Sequence, residues 1–245
     1  MNKHVTLPSP GELRQKIDAL RKSHGYLLPH HGAMAAGAPD LFDGYMVMYR
    51  ALTLNERYLD PFEKEFVWLC ILIAMKEAVG THHVELFFKA GGTQEQAQGA
   101  TRLTAIALGA RAFGFMSQEW PEHFPSLVGT KAYIDSLNAA LSGFDLPADL
   151  IAMASTAVHT AIGDHWGTAA SIEAAYLAQA PEEKLVEAMS FVMWPAGINP
   201  FVHGCGIWHQ LMASGRVTPS ERFRVWAETP AQGGHSDRAR SKSSH

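Results

Sequence analysis

Apolar positions recur along most of the chain at three- and four-residue intervals, and sustained apolar/polar alternation, the mark of a half-buried strand, is missing. Ala, Leu, Met, Glu and Gln, all good helix formers, dominate the segments between breaks. The pattern predicts an all-α protein. A first helix over residues 11–23 follows Pro8-Ser9-Pro10 and stops at Gly25, and a Gly-rich connector runs from Pro29 to Pro39. Helices are then expected over residues 40–58, 62–78, 80–90 and 93–118, the last opened by a capping box of Thr93 and Gln96. Residues 65–75 are apolar on every face, as in a helix buried among other helices.

Trp120-Pro121-Glu122-His123-Phe124-Pro125 breaks this pattern and marks a boundary. Beyond it the first half recurs. When Tyr45 is laid on Tyr133, Glu85 falls on Glu173, Gly109 on Gly197 and Phe113 on Phe201 without a gap. Helices over 131–142, 148–162, 168–179 and 181–193 would be the copies, which makes an internal duplication the expected organisation. The domains read as an N-terminal helix and connector (1–39), a first repeat (40–120), a diverged second repeat (126–228) and a Gly/Ser/Arg-rich tail (232–245) expected to be disordered.

Composition narrows the function. The chain has 245 residues, 47% of them hydrophobic, enough for a sizeable core. A net charge of −4 offers no basic stripe for phosphates, so nucleic acid is not an expected partner. No apolar run approaches the roughly 20 residues of a membrane span, and Met-Asn-Lys-His-Val-Thr has no apolar signal core, so the expected location is the cytoplasm. Cys70 and Cys205 form no CxxC and no zinc spacing, so neither a disulfide framework nor a dithiol centre is expected.

Polar groups at the end of the buried helix carry the expected chemistry. Lys76, Glu77, His82 and His83 stand where an unpaired polar group costs about 1–3 kcal/mol, so they must be paired, solvated or used. A carboxylate facing an imidazole orients its tautomer and favours its protonated form. This reading makes His83 the acid/base, Glu77 its orienter and His82 a donor to substrate, with Lys76 holding a substrate carboxylate. His30 and His31, in the connector, would lid the pocket, and Tyr45 would supply a phenol. The competing reading is structural: histidines at a helix start often only cap, and Glu77 would then be a surface carboxylate.

The order of an apolar helix opened by Leu59-Asp60-Pro61-Phe62-Glu63-Lys64-Glu65, then Glu77, then His83-Val84 and Gly91-Gly92-Thr93, resembles the carboxymuconolactone decarboxylase family, which includes the AhpD-like alkylhydroperoxidases. The likeness spans about residues 40–118. It implies an AhpD-like helical bundle and subunits assembled around a threefold axis; with two fused repeats, a homo-trimer is expected and a dimer is the rival. The peroxidase branch needs cysteines seven and four residues before the histidine, where Lys76 and Val79 stand, so thiol peroxide chemistry has no reagent. The cysteine-free branch, whose activity is loss of CO2 from a carboxylated muconolactone, often has acidic residues six and four before the histidine. Only Glu77 remains of that pair, with Val79 in place of the other.

A second group of polar residues lies in the other half: His159, Asp164 and His165, then His203, Cys205 and His209. The four histidines are an alternative metal set if they converge. Three classes of function remain. The leading one is a cofactor-independent lyase or isomerase for a small cyclic or unsaturated carboxylic acid or lactone; the others are a metal-dependent hydratase or hydrolase and a non-catalytic helical ligand-binding protein.

Overall fold

The computed structural model describes residues 6–230 and Gln232. Every regular element in them is helical, and no helix among them is long and apolar enough to cross a membrane. The expected tail lies outside the described residues except for Gln232. The chain divides into two units after Asn55, whereas the sequence sets the edge of the first repeat at residue 40.

The first unit holds α1 (Pro10–His24), α2 (Pro29–Gly37) and α3 (Pro39–Tyr49), the last running into a π-helical turn, Arg50–Leu54. Ser9 and Glu12 form the capping box that starts α1, and Gly25, at φ 78°, ends it. The expected connector is instead helix α2. Pro29 is pre-set for a first turn, and Ala33, Met34, Ala35 and Ala36 outweigh Gly32. The helix expected to reach residue 58 ends near Leu54, beyond which Asn55 is extended.

In the second unit α4 (Pro61–Met75) starts at Asp60, whose carboxylate accepts from Glu63 N at 2.9 Å while Glu63 caps Asp60 N at 2.8 Å. A 3-10 turn (Ala78–Gly80), α5 (His82–Lys89), α6 (Gln94–Gly109) and α7 (Arg111–Glu119) follow. Thr93 and Gln96 form the expected capping box, but the helix breaks at Ala110, so the predicted long helix is two. Then come α8 (Gly129–Leu141), α9 (Ala148–Ala161), α10 (His165–Leu177), α11 (Glu182–Ser190) with a 3-10 turn (Phe191–Met193), α12 (Ile198–Ala213) and α13 (Glu221–Ala227).

Helices α4 and α9 lie against each other at the centre, with α5 and α6 on α4 and α10, α11 and α12 on α9. Their side chains explain the position: residues 64–72 of α4 and 150–161 of α9 are buried throughout. Each fully buried Leu, Ile or Phe there stabilises the fold by about 1.5–3 kcal/mol. Helix α11 fixes the approach to α4, since Glu187 Oε2 accepts from Tyr58 N (2.8 Å) and Leu59 N (3.0 Å) and Lys184 pairs with Glu63 at 2.6 Å.

The links after α4 and α9 are alike, as are those after α5 and α10. Lys76 (φ 55°) and Gly163 (φ 66°) end the two central helices left-handed. Gly91 and Gln179 do the same for α5 and α10, with Gly92 N bonded to Phe87 O and Ala180 N to Ala175 O.

Asp60→Ala removes the cap of the central helix and is expected to lower stability by about 1 kcal/mol. Asp60→Asn should keep most of it. Urea midpoints of the two variants check this.

Candidate active site

Because α4 is followed by a tight left-handed turn, the chain doubles back along it. Gly80 passes so close to Leu72 that an added Cβ would lie 2.7 Å from its methyls, and Phe87 meets Phe62 at the far end (ring centroids 5.8 Å). Between these contacts His83, in the first turn of α5, faces Glu65 and Trp68 of α4.

His83 Nδ1 lies 2.6 Å from Glu65 Oε2, with the two side chains only 3% and 6% exposed. The imidazole stacks on Trp68 (centroids 4.3 Å, planes 16° apart), whose other neighbour is Phe191 at 5.0 Å and 17°. The carboxylate therefore fixes the tautomer, with Nδ1–H donating to Glu65, and the stack fixes the ring plane. Nε2 remains for a reacting proton. Trp68 Nε1 is buried without an acceptor.

His82 packs beside His83 (centroids 4.2 Å). Burial, and secondarily its neighbour His83, push its pKa down to about 4, so near neutrality it is an uncharged imidazole.

The carboxylate that meets His83 is Glu65 and not the expected Glu77. Glu77 is exposed and accepts from Val79 N at 2.8 Å, a local bond that starts the 3-10 turn and turns its carboxylate to that duty. Lys76 is also exposed, and with Glu77, Leu72 and Val84 it lines an open cleft of ≈ 260 Å³ whose walls do not include His83. Sequence reasoning missed Glu65 because it follows Glu63 and Lys64 in the charged start of α4 and was counted into the apolar run that begins after it. The available signal was a carboxylate at the edge of a run that is apolar from Phe66 to Met75.

His30, His31 and Tyr45 belong to the first unit, where they meet one another: His30 Nε2 lies 2.7 Å from Tyr45 Oη, and the His31 ring is 5.7 Å from that of Tyr45.

The second-half histidines do not converge. His159 uses both ring nitrogens, Nε2 at 2.7 Å from Tyr133 Oη and Nδ1 at 3.1 Å from Asp164 Oδ2. The rings of His165 and His203 are 5.7 Å apart, while His209 packs on Trp226. Among the described residues no three His, Cys, Asp or Glu side chains are grouped to hold an ion. Both thiols are poorly disposed to ionise: burial pushes Cys70 far up and Cys205 up to about 11.

Compared with family models, with curated proteins and with solved structures, the chain finds no match.

The depressed pKa of His82 has a definite sign in stability. Between about pH 6.5, the ordinary value, and about 4 the unfolded chain binds a proton that native His82 refuses, so His82 makes stability fall as pH drops through that window. The His82 ring proton resonances are expected to stay unshifted from pH 8 to 5 in an NMR titration, and His82→Gln should flatten the acid limb of the stability curve.

Proposed function

We propose that the protein is a cofactor-independent lyase or isomerase for a small cyclic or unsaturated carboxylic acid or lactone, with Glu65 and His83 as its proton relay. The observation that carries this reading is the buried Glu65–His83 pair, braced by Trp68. Such a pair is costly to bury and is what general acid/base chemistry requires: a fixed tautomer, a fixed ring and a counter-charge for the imidazolium. The resemblance to the cysteine-free carboxymuconolactone decarboxylases adds the reaction class.

In a decarboxylation the bond from ring carbon to the carboxylate breaks, CO2 leaves, and the electron pair enters the conjugated lactone as a dienolate. His83, protonated and paired with Glu65, gives the Nε2 proton to carbon and recovers one from water. Neutral His82 is a candidate donor to the developing oxyanion. In an isomerisation His83 takes a proton from one carbon and returns it to another.

We further read α4–α6 and α9–α11 as two copies of one unit. The matching left-handed links support this, since Lys76 and Gly163 end equivalent helices, as do Gly91 and Gln179. The copies then differ where chemistry would lie, with Ser171 standing for His83. Three such chains would complete a ring with threefold symmetry. A sedimentation mass near three times 26.8 kDa supports that assembly, and twice that mass supports the rival dimer.

The test is turnover of EDTA-treated protein on a panel of carboxylated muconolactones and related unsaturated lactone acids, read by CO2 release and ultraviolet absorbance. His83→Ala is expected to lose about 10²–10⁴-fold in kcat, and Glu65→Gln, which keeps an acceptor for Nδ1 but no charge, should lose a large part of that. Glu77→Gln should leave kcat unchanged. Equal rates in wild type and His83→Ala, with both folded by circular dichroism, would remove the relay from the reaction.

A further inference from the structure

Two of the second-half histidines meet each other, and the proposed relay uses neither. His165 is the first residue of α10 and His203 lies in the second turn of α12, with ring centroids 5.7 Å apart and planes at 43°. Both side chains are exposed, in contrast with buried His159, whose two nitrogens are committed to Tyr133 and Asp164. Among the described residues no hydrogen bond takes up a ring nitrogen of His165 or His203.

The backbone holds both residues in place. One residue after His203, Gly204 is seated so closely that an added Cβ would lie 2.9 Å from Thr160 Cγ2 of α9 and from Met189 Cε of α11. Two residues after His165, a Cβ on Gly167 would stand 2.1 Å from His159 Nδ1, and Asp164 accepts from Gly167 N at 3.1 Å to cap α10. Helices α10 and α12 also pack on each other and share α9 as support. The two backbone positions are therefore fixed, and the exposed rings keep only their side-chain torsions.

Their separation is close to what one tetrahedral ion requires. Zinc-to-imidazole bonds of about 2.0–2.1 Å put each ring centroid about 3.2 Å from the metal, so two rings at the tetrahedral angle have centroids about 5.2 Å apart. Neighbouring ligands of a square-planar ion would need about 4.5 Å, farther from the observed spacing. Small turns of two exposed rings make up the remaining difference. The surroundings also accept a cation, since neither α10 nor α12 carries a lysine or arginine. Asp164, the N-cap of α10, sets a carboxylate beside His165 against the positive end of the helix and against Arg111, which acts on that carboxylate from α7. No third His, Cys, Asp or Glu completes the set among the described residues. Asn199, exposed and one turn before His203, offers an amide oxygen on the same face of α12.

We propose that His165 and His203 form a two-imidazole clamp for a zinc-type divalent ion, which ties α10 to α12 and keeps its remaining positions for water or an oxygen donor. Imidazole suits such ions, whereas Mg2+ and Ca2+ seek oxygen. The clamp is separate from the Glu65–His83 pair and takes no part in the proposed proton relay.

The probe is Zn2+ alone, titrated at neutral pH into the full chain after EDTA treatment and dialysis, and followed by the imidazole resonances of 15N-labelled protein with calorimetry for affinity. The resonances of His165 and His203 are expected to move together and before those of any other histidine. His165→Ala and His203→Ala should each weaken this binding at least about tenfold, since losing even a hydrogen-bond partner of a metal ligand costs about 10–100-fold. An excess of Mg2+ should displace none of the zinc. Both residues are exposed, so both variants are expected to keep the wild-type circular dichroism. Zinc that moves other histidines first, or moves only one of the pair, overturns the clamp on wild-type protein alone, and so does undiminished affinity in either variant. Turnover plays no part in these readings, so failure of the lyase assignment is seen separately.

Discussion

Helices α4 and α9 are buried on nearly every face and lie against each other, so a polar side chain they carry inward is costly unless it is answered within the core, as the carboxylate and hydroxyl groups are and Trp68 Nε1 is not. An unanswered buried group costs about 1–3 kcal/mol, more than the roughly 0.5–1.5 kcal/mol that an ordinary hydrogen bond returns. That asymmetry explains why the inward polar residues come in sets: Glu65 with His83, Ser155 and His159 with Tyr133, Ser171 and Asp164. The neighbouring helices α5, α8 and α10 are placed so that each delivers the missing partner. The apolar surfaces hold the bundle, and the polar sets fix the register in which they meet.

Much of the fold was legible in the sequence because its signals are local. Ser9 with Glu12, Asp60 with Glu63 and Thr93 with Gln96 are capping boxes, and the apolar run of α4 announces a central helix. The errors are also local. Gly32 and Gly37 hid α2 behind a loop-like composition, while Gly109, a helix-weakening residue, was passed over where the chain breaks at Ala110.

The candidate site was legible only in part. His83 stood out by its place after the apolar helix, but its partner was sought six residues away at Glu77 and lies instead on the facing helix, at Glu65. A doubled-back chain pairs residues by position along the helix axis, which sequence proximity does not report. His159 and Asp164 were noticed as potential metal ligands, while Tyr133, which turns them into a hydrogen-bonded chain leading to two serines, carried no signal of its own. Under the proposed duplication the contrast is intelligible. Trp68 stacks on His83 in the first of the proposed copies, and Ser171 stands where the second would carry that histidine.

The packing of α4 against α9 also bears on how such a protein can change. Glu65 and Trp68 sit on one member of the pair, Ser155 and His159 on the other, so a volume change at their common seam would disturb both places at once. Substitutions there are constrained twice over. Helices that touch only one member, such as α5 on α4 and α10 on α9, are free of that double constraint. Variation in what the molecule recognises therefore has its easiest route through the outer helices, while the central pair stays fixed as a shared foundation.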